Sequence, residues 1–345
     1  MKKSISLLLF IHMCFVAGAQ DFLSSQFYEL PMLRNPALVG IMPSNIRATA
    51  LFRDQWNSIT VPYRTGSLSV ESKIPIGRQN DFISFGMHGT RDQAGDAKFY
   101  RTQAYLASTF HKALSADPNT IPNYLSFSVM GGSVWSGFDP TKMTFDDQFV
   151  GGAFNPGNLT STFFTNTRIN YFDLSSGLSF VGQTFEKTKY YIGVAGFHLA
   201  RSKVNFFRDD AVILKRRFVV NGALSIRTGQ NDRFTFYGDI NFQGGNRQVL
   251  LGALKKWNLG IYEEDDEEQN STSISAGAAF RMGDAFIPVV KFYNKGFTAA
   301  VSYDMNISKL KSVSQTVGGF EVSMGYSGIL NIIRDRKLTC SNLVL

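Results

Sequence analysis

The chain has 345 residues, 44% of them apolar, with 31 Phe, 13 Tyr and 3 Trp beside 31 Gly and only 10 Pro. So aromatic a composition excludes intrinsic disorder, and beyond residue 19 no apolar run approaches the roughly 20 residues of a spanning helix. The formal charge is +8, but the basic residues are scattered singly and form no block with interleaved aromatics, which excludes a nucleic-acid groove. What remains is a large, glycine-rich all-β protein.

The first 19 residues have the order of a secretory signal. Lys2 and Lys3 precede an apolar stretch from Ile5 to Val16, and small residues follow at Ala17, Gly18 and Ala19, predicting cleavage before Gln20. Cys14 lies inside the apolar stretch behind Ile11, His12 and Met13, the wrong setting for a lipid acceptor. Once the signal leaves, Cys340 is the only cysteine, so no internal disulfide forms. Of 35 basic residues Lys2 and Lys3 leave too, and against 27 acidic residues the mature chain is near +6. That balance suits a lipid surface or plain solubility.

Residues 20–45 carry Pro31, Pro36 and Pro43, which cannot continue a ladder, and predict an irregular periplasmic or lumenal lead-in. Two-residue alternation then begins. Ile83, Phe85 and Met87 oppose Ser84, Gly86 and His88; Phe234, Phe236, Ile240 and Phe242 oppose Thr235, Asp239 and Asn241; Phe297, Ala299, Val301 and Tyr303 oppose Thr298, Ser302 and Asp304. Each such segment has one apolar and one polar face. The segments are 46–56, 64–75, 80–91, 99–111, 123–135, 168–182, 188–199, 216–228, 232–243, 247–262, 271–282, 285–293, 296–307 and 316–327. Most exceed the 5 or 6 residues of a sandwich strand and reach the 9 to 11 that cross a membrane. An even set of about 14 predicts an antiparallel transmembrane β-barrel of the outer membrane over 46–327, both termini on the periplasmic side, with a tail at 328–345. Trp56, Tyr63, Phe82, Tyr100, Trp135, Tyr190, Tyr191, Tyr262 and Tyr326 fall at or near strand ends, where interfacial aromatic girdles sit.

Most connections are short polar turns, but 136–167 and 200–215 are long. The first mixes Phe138, Phe145, Phe149, Phe154, Phe163 and Phe164 with Asp139, Asp146, Asp147 and Asn155. Aromatic anchors ringed by polar groups suit a partner-docking loop or, turned inward, a lumen plug. The six carboxylates from Glu263 to Glu268 read as a solvated hairpin tip, lacking the ligand spacing of a calcium loop.

The search for chemistry returns no catalytic residue, no metal site and no cofactor motif. His88, His111 and His198 have no ligand spacing, and the sequence contains no H-E-x-x-H, G-x-S-x-G or phosphate-binding glycine loop. His88 and His198 read as polar-face or girdle residues.

Several short motifs, in order over nearly the whole mature chain, resemble the PorP/SprF-like membrane proteins of the type IX secretion system. They are Ser24 to Tyr28, Leu33 to Gly40 with Asn35 and Pro36, Ala50 to Trp56, Phe145 to Phe149 with Phe154, Asn155 and Pro156, Phe280 to Ala285 with Gly283 and Asp284, Val301 to Leu310 with Ser302, Tyr303 and Asp304, and Gly318 to Tyr326. The resemblance implies an outer-membrane barrel in a Bacteroidetes-type envelope, without enzymatic activity or cofactor. It implies service in secretion or surface attachment of a cognate adhesin through its C-terminal sorting domain, including adhesins of gliding motility. The implied partners are that adhesin, the secretion channel, periplasmic envelope proteins and outer-membrane lipid. The tail Cys340 to Leu345 and the acidic run depart from the family pattern. A fatty-acid-transporter-like channel for hydrophobic small molecules is the alternative, since barrels of that kind also carry a lumenal lead-in.

Overall fold

The computed structural model describes residues 21, 24–57, 61–76, 80–114, 123–162, 164–184, 188–206, 212–228, 232–259, 272–308 and 316–328. The signal sequence, Phe163, Tyr262, the acidic run and the tail beyond 328 lie outside the described residues.

Fourteen long strands close into one antiparallel barrel. They are β1 (Ile46–Gln55), β2 (Tyr63–Pro75), β3 (Phe82–Ala94), β4 (Phe99–Ala113), β5 (Tyr124–Gly137), β8 (Arg168–Gln183), β9 (Lys189–Phe197), β10 (Arg217–Thr228), β11 (Asp232–Gln243), β12 (Asn246–Asn258), β13 (Thr272–Arg281), β14 (Ala285–Asn294), β15 (Phe297–Asn306) and β16 (Val317–Gly328). Between β5 and β8 a small hairpin, β6 (Phe149–Val150) and β7 (Ala153–Phe154), stands apart from the barrel sheet. Closure comes from β1 on β16, in register from Ile46 opposite Gly328 to Gln55 opposite Gly319. A sheet with no edge satisfies every ladder group internally, as the bilayer demands. Among the described residues no helix is long and apolar enough to cross a membrane.

All fourteen predicted segments are strands. Three boundaries move for one reason: Trp56, Asn80 and His198 have φ of 58°, 59° and 58°. A left-handed residue turns the chain out of the ladder. So β1 ends at Gln55, β3 starts at Phe82 and β9 ends at Phe197.

The apolar face of each strand points outward to lipid. Phe85, Met87, Phe236, Phe242 and Val301 are exposed, while Ser84, His88, Asp239, Asn241 and Ser302 are buried. This inversion of a soluble core needs something to fill a polar lumen. Residues 24–44 do so, running inside the barrel through a 3-10 turn (Phe27–Glu29), a single helical turn (Pro31–Arg34) and a second 3-10 turn (Pro36–Leu38). We call the end where β1 starts and β16 finishes the base, and the opposite end, which carries 138–167, the rim. Four aromatics assigned above to the girdle face inward instead, and two of them, Trp56 and Tyr63, line the rim end of the lumen. Phe82 and Tyr191 are buried and pack with Leu38 and Ile41 of the lumenal segment. Strand-end position alone does not separate a lipid-facing ring from a lumen-facing one. Trp135 and Tyr326 do lie exposed on the outer surface.

Candidate functional site

The lumenal segment is fixed by three sets of contacts. Nearest the rim, the Asp21 carboxylate accepts from Arg101 Nη1 at 2.9 Å and meets His198 Nε2 at 2.5 Å, with Arg217 Nε at 3.4 Å. His198 Nδ1 meets Asp173 at 2.8 Å, and Tyr105 donates to the same carboxylate at 2.9 Å. Burial pulls the His198 pKa down, but Asp21 and its hydrogen bonds to both carboxylates outweigh this and raise it to about 8. Burial raises the Asp21 carboxyl and the charges of His198, Arg101 and Arg217 lower it, leaving it well below the usual range. The tether is therefore an ion pair at neutral pH.

In the second set, Ser24, Ser25 and Gln26 meet β15 and β16. Ser25 Oγ donates to Asp304 at 2.5 Å, Ser25 and Gln26 backbone amides donate to Glu321 at 3.0 and 2.7 Å, and Gln26 Nε2 donates to Ser302 Oγ at 3.1 Å. Arg53 and Arg281 bind Asp304 from the wall at 2.8 and 3.2 Å, so the buried carboxylate is paired.

In the third set, Arg34 Nη2 donates to Asp239 at 2.5 Å, and the guanidinium lies 4.8 Å from the Phe27 ring centroid. Burial works against this cation, yet Asp239 holds it firmly protonated, above the usual arginine range. Asn35 caps the turn from Pro36 by accepting from the Ala37 amide at 2.9 Å, and its Nδ2 donates to Leu178 O at 3.0 Å. It sits where Gly177 leaves room: a Cβ there would fall 2.0 Å from Asn35 Oδ1. Pro36 O accepts from Thr109 at 3.0 Å. Gly40, at φ +80°, lies so close to β3 that a Cβ would be 1.9 Å from Ser84 Oγ.

Of the family-motif residues, Asn35, Pro36, Gly40, Ser302 and Asp304 thus converge on the contact between lumenal segment and wall. Gly283 (φ +75°) makes the β13 to β14 turn, and Asp284 accepts from Arg281 at 2.8 Å. Trp56 stacks edge-on with Tyr63 at 4.8 Å near the rim, and Tyr303 faces outward, so neither joins that contact.

At the rim, the described residues of loop 138–167 stay outside the lumen. Phe138 stacks edge-on with Phe164 at 4.8 Å and with Phe206 of the neighbouring loop at 5.1 Å, while Phe145 lies 6.2 Å from Phe164. Asp139 accepts from Thr141, Asp147 from Ser161 and Thr160, and Asn155 from the Gly157 amide. These hydrogen bonds, to Thr141 and Ser161 first, hold the Asp139 and Asp147 carboxyls below their usual range. Asp146 accepts from the Asp147 amide at 3.0 Å. The polar residues thus shape the loop and leave Phe149, Val150, Phe154 and Leu159 outward, Leu159 at 96% exposure. At the rim end of the lumen a vestibule of about 610 Å³ opens, walled in part by Trp56, Tyr63, Phe99 and Phe206, with Asp21, Arg101 and Arg281 among its polar lining.

The sequence reading missed Asp21, Arg34, Arg53, Asp239 and Glu321. Arg53, Asp239 and Glu321 carry one local signal, a charge on a strand face that points away from lipid, whereas Asp21 and Arg34 lie in the lead-in and carry none.

A closed fourteen-stranded barrel with an apolar outer face and a lumen filled by its own N-terminal segment is an outer-membrane protein. The chain belongs to the PorP/SprF family of type IX secretion system membrane proteins, whose family model matches residues 16–326. It is therefore an outer-membrane component of that secretion system. No curated protein matches the chain. Among solved structures it is similar to the toluene transporter TbuX of Ralstonia pickettii (10% identity, 90% of this chain and 96% of that one, TM-score 0.47). It is also similar to the monoaromatic hydrocarbon channel CymD (10%, 88% and 93%, TM-score 0.46) and to CdiB of Escherichia coli (7%, 82% and 63%, TM-score 0.43).

Proposed function

We propose that the barrel assists secretion or surface attachment of a cognate adhesin, whose C-terminal sorting domain docks on the rim. The observation that carries this is the outward apolar patch of Phe149, Val150, Phe154 and Leu159 on a loop braced from behind by Phe138, Phe145, Phe164 and Phe206. A braced patch loses little conformational freedom when a partner covers it, which favours association. The secretion channel and periplasmic envelope proteins are the remaining partners in this reading. A channel for hydrophobic small molecules is the weaker reading, because ion pairs and hydroxyls, with the lumenal segment among them, occupy the path. Deletion of 146–157 tests the choice: we expect a heat-modifiable, membrane-inserted barrel that no longer retains adhesin at the cell surface. Unchanged attachment would remove the rim from the mechanism.

A further inference from the structure

On the outer face of the wall, β2 to β5 and β8 frame a groove of about 700 Å³. Its floor is a row of small residues on neighbouring strands: Gly89 on β3 pairs with Ala104 on β4, which pairs with Ser133 on β5. Leu68 and Phe172 close the two ends of the row, Leu106 stands on the base side and Trp135 on the rim side. A Cβ on Gly89 would meet nothing closer than 3.9 Å, so the floor is open there. Two exposed arginines face outward just rimward of the groove. Arg91 shares the outward face of β3 with Gly89, its guanidinium 4.9 Å from the Tyr100 ring centroid and Nη1 3.3 Å from Thr102 Oγ1. Arg168 shares the outward face of β8 with Phe172. Neither forms an ion pair among the described residues. Asp92, next to Arg91 in sequence, lies on the lumen face and accepts from Thr65 at 2.6 Å, and Asp54 is taken by Arg64 at 3.1 Å.

We propose that this groove seats an acyl chain of a phosphorylated glycolipid in the outward leaflet, with phosphates on Arg91 and Arg168. In a bilayer a hydrocarbon chain fills an apolar groove whatever the lipid, so the groups at head level select which lipid it is. The level is set by the strands: Gly89 lies nearer the rim end of β3 than the base end, and long loops mark the rim as the side facing out of the cell. A guanidinium matches the geometry of a phosphate with paired, charge-assisted hydrogen bonds. Tyr100 and Thr102 hold Arg91 in place without neutralising it, so little side-chain freedom is lost on binding. Neighbouring strands are about 4.8 Å apart, and the three spacings from β3 through β4 and β5 to β8 therefore set the two arginines about 14 Å apart. A head with two phosphates engages both, whereas a single phosphate meets one. Between them lie Thr102, Trp135 and Asn170, one ring and two hydrogen-bonding side chains, which suit a sugar better than a bare phosphodiester.

The test uses the full chain in a neutral detergent, stripped of co-purified lipid and titrated with diphosphoryl lipid A, the bound lipid being counted by native mass spectrometry. We expect saturable binding of a single lipid A, weakened about tenfold or more in Arg91→Gln/Arg168→Gln. Gly89→Phe fills the groove without changing charge and is expected to weaken binding to a similar degree, with the heat-modifiable gel shift verifying that each variant is folded. Arg247→Gln removes an exposed rim arginine on β12, away from the groove, and should leave the affinity unchanged. An equal loss in Arg247→Gln would reduce the effect to overall charge and overturn the site. Phosphatidylglycerol bound as tightly, with the same dependence on both arginines, would overturn the choice of a glycolipid in favour of a phospholipid. Absence of retained lipid on the folded wild-type barrel would overturn the proposal outright.

Discussion

Arg34, in the lumenal segment, and Asp239, 205 residues away on β11, form a fork-like pair inside the barrel: Nε lies 2.9 and 2.8 Å from the two carboxylate oxygens and Nη2 lies 2.5 Å from one of them. Both side chains are almost fully buried, so loss of either partner leaves an uncompensated charge. Arg34→Met is expected to cost about 3 to 5 kcal/mol, whereas Arg34→Met/Asp239→Leu recovers most of the loss. Urea unfolding in micelles, followed by the heat-modifiable gel shift, reads the difference. A single variant as stable as the double one would show that the pair does not hold the lumenal segment.

Phe236 and Thr235 are neighbours on β11 facing opposite solvents. Phe236 is 45% exposed on the lipid side, and Thr235 is buried in the lumen within 3.0 Å of Ser225 Oγ. Phe236→Arg near the bilayer midplane should cost about 2 to 4 kcal/mol of folding into lipid. Thr235→Asn keeps a polar group on the polar side and should stay within about 1 kcal/mol. Equal costs in refolding into vesicles would invert the assigned faces.

The barrel was legible because its signal is local. Alternation sustained over ten to sixteen residues, bounded by turn chemistry, survives without any knowledge of partners. Even the shortest barrel strand, β9 with 9 residues, shows it. The lumenal contacts were not legible, because Ser25 with Asp304 and Arg34 with Asp239 join residues 279 and 205 apart, and nothing near either partner encodes the other. Pro31, Pro36 and Pro43 marked where a strand could not form; the residues between them carried no sign of which wall each would meet. The rim loop fell between these cases. Its aromatics stood out, but whether a ring braces the loop, as Phe138 does, or faces solvent, as Phe149 does, depends on Phe206 in another loop.

Gly40 tests how closely the lumenal segment is fitted to the wall. At φ +80° an alanine is strained by about 1 to 3 kcal/mol, and its Cβ would also overlap Ser84 Oγ and Cβ at 1.9 and 2.5 Å. Gly40→Ala should therefore loosen residues 24–44, seen as faster proteolysis of that segment and raised ion conductance in planar bilayers. Adding Ser84→Gly removes the overlap but not the backbone strain, so it should restore the seal only in part. Full restoration would assign the whole effect to the overlap, and no effect of Gly40→Ala would show that the segment sits more loosely than the contacts imply.

The rim tether should respond to pH through His198. Its folded pKa of about 8 lies above the ordinary 6.5, so the stabilisation is complete below about 6.5 and is lost as pH rises through about 8. The difference corresponds to about 2 kcal/mol. Asp21 responds in the opposite direction: its carboxyl is held below the ordinary range, so its share persists at neutral pH and fades only on acidification. The groups facing the imidazole are Asp21 and Asp173, with Arg217 and Arg101 beyond Asp21; both arginines stay charged throughout, so the loss on the alkaline side is assigned to His198. Between pH 6.5 and 9 the segment beginning at Asp21 should become more accessible to protease from the rim side, with a midpoint near 8. In His198→Gln the accessibility should be raised at pH 6.5 and flat across the range. A wild-type profile equally flat would show that Arg101 and Arg217 hold Asp21 without the histidine's charge.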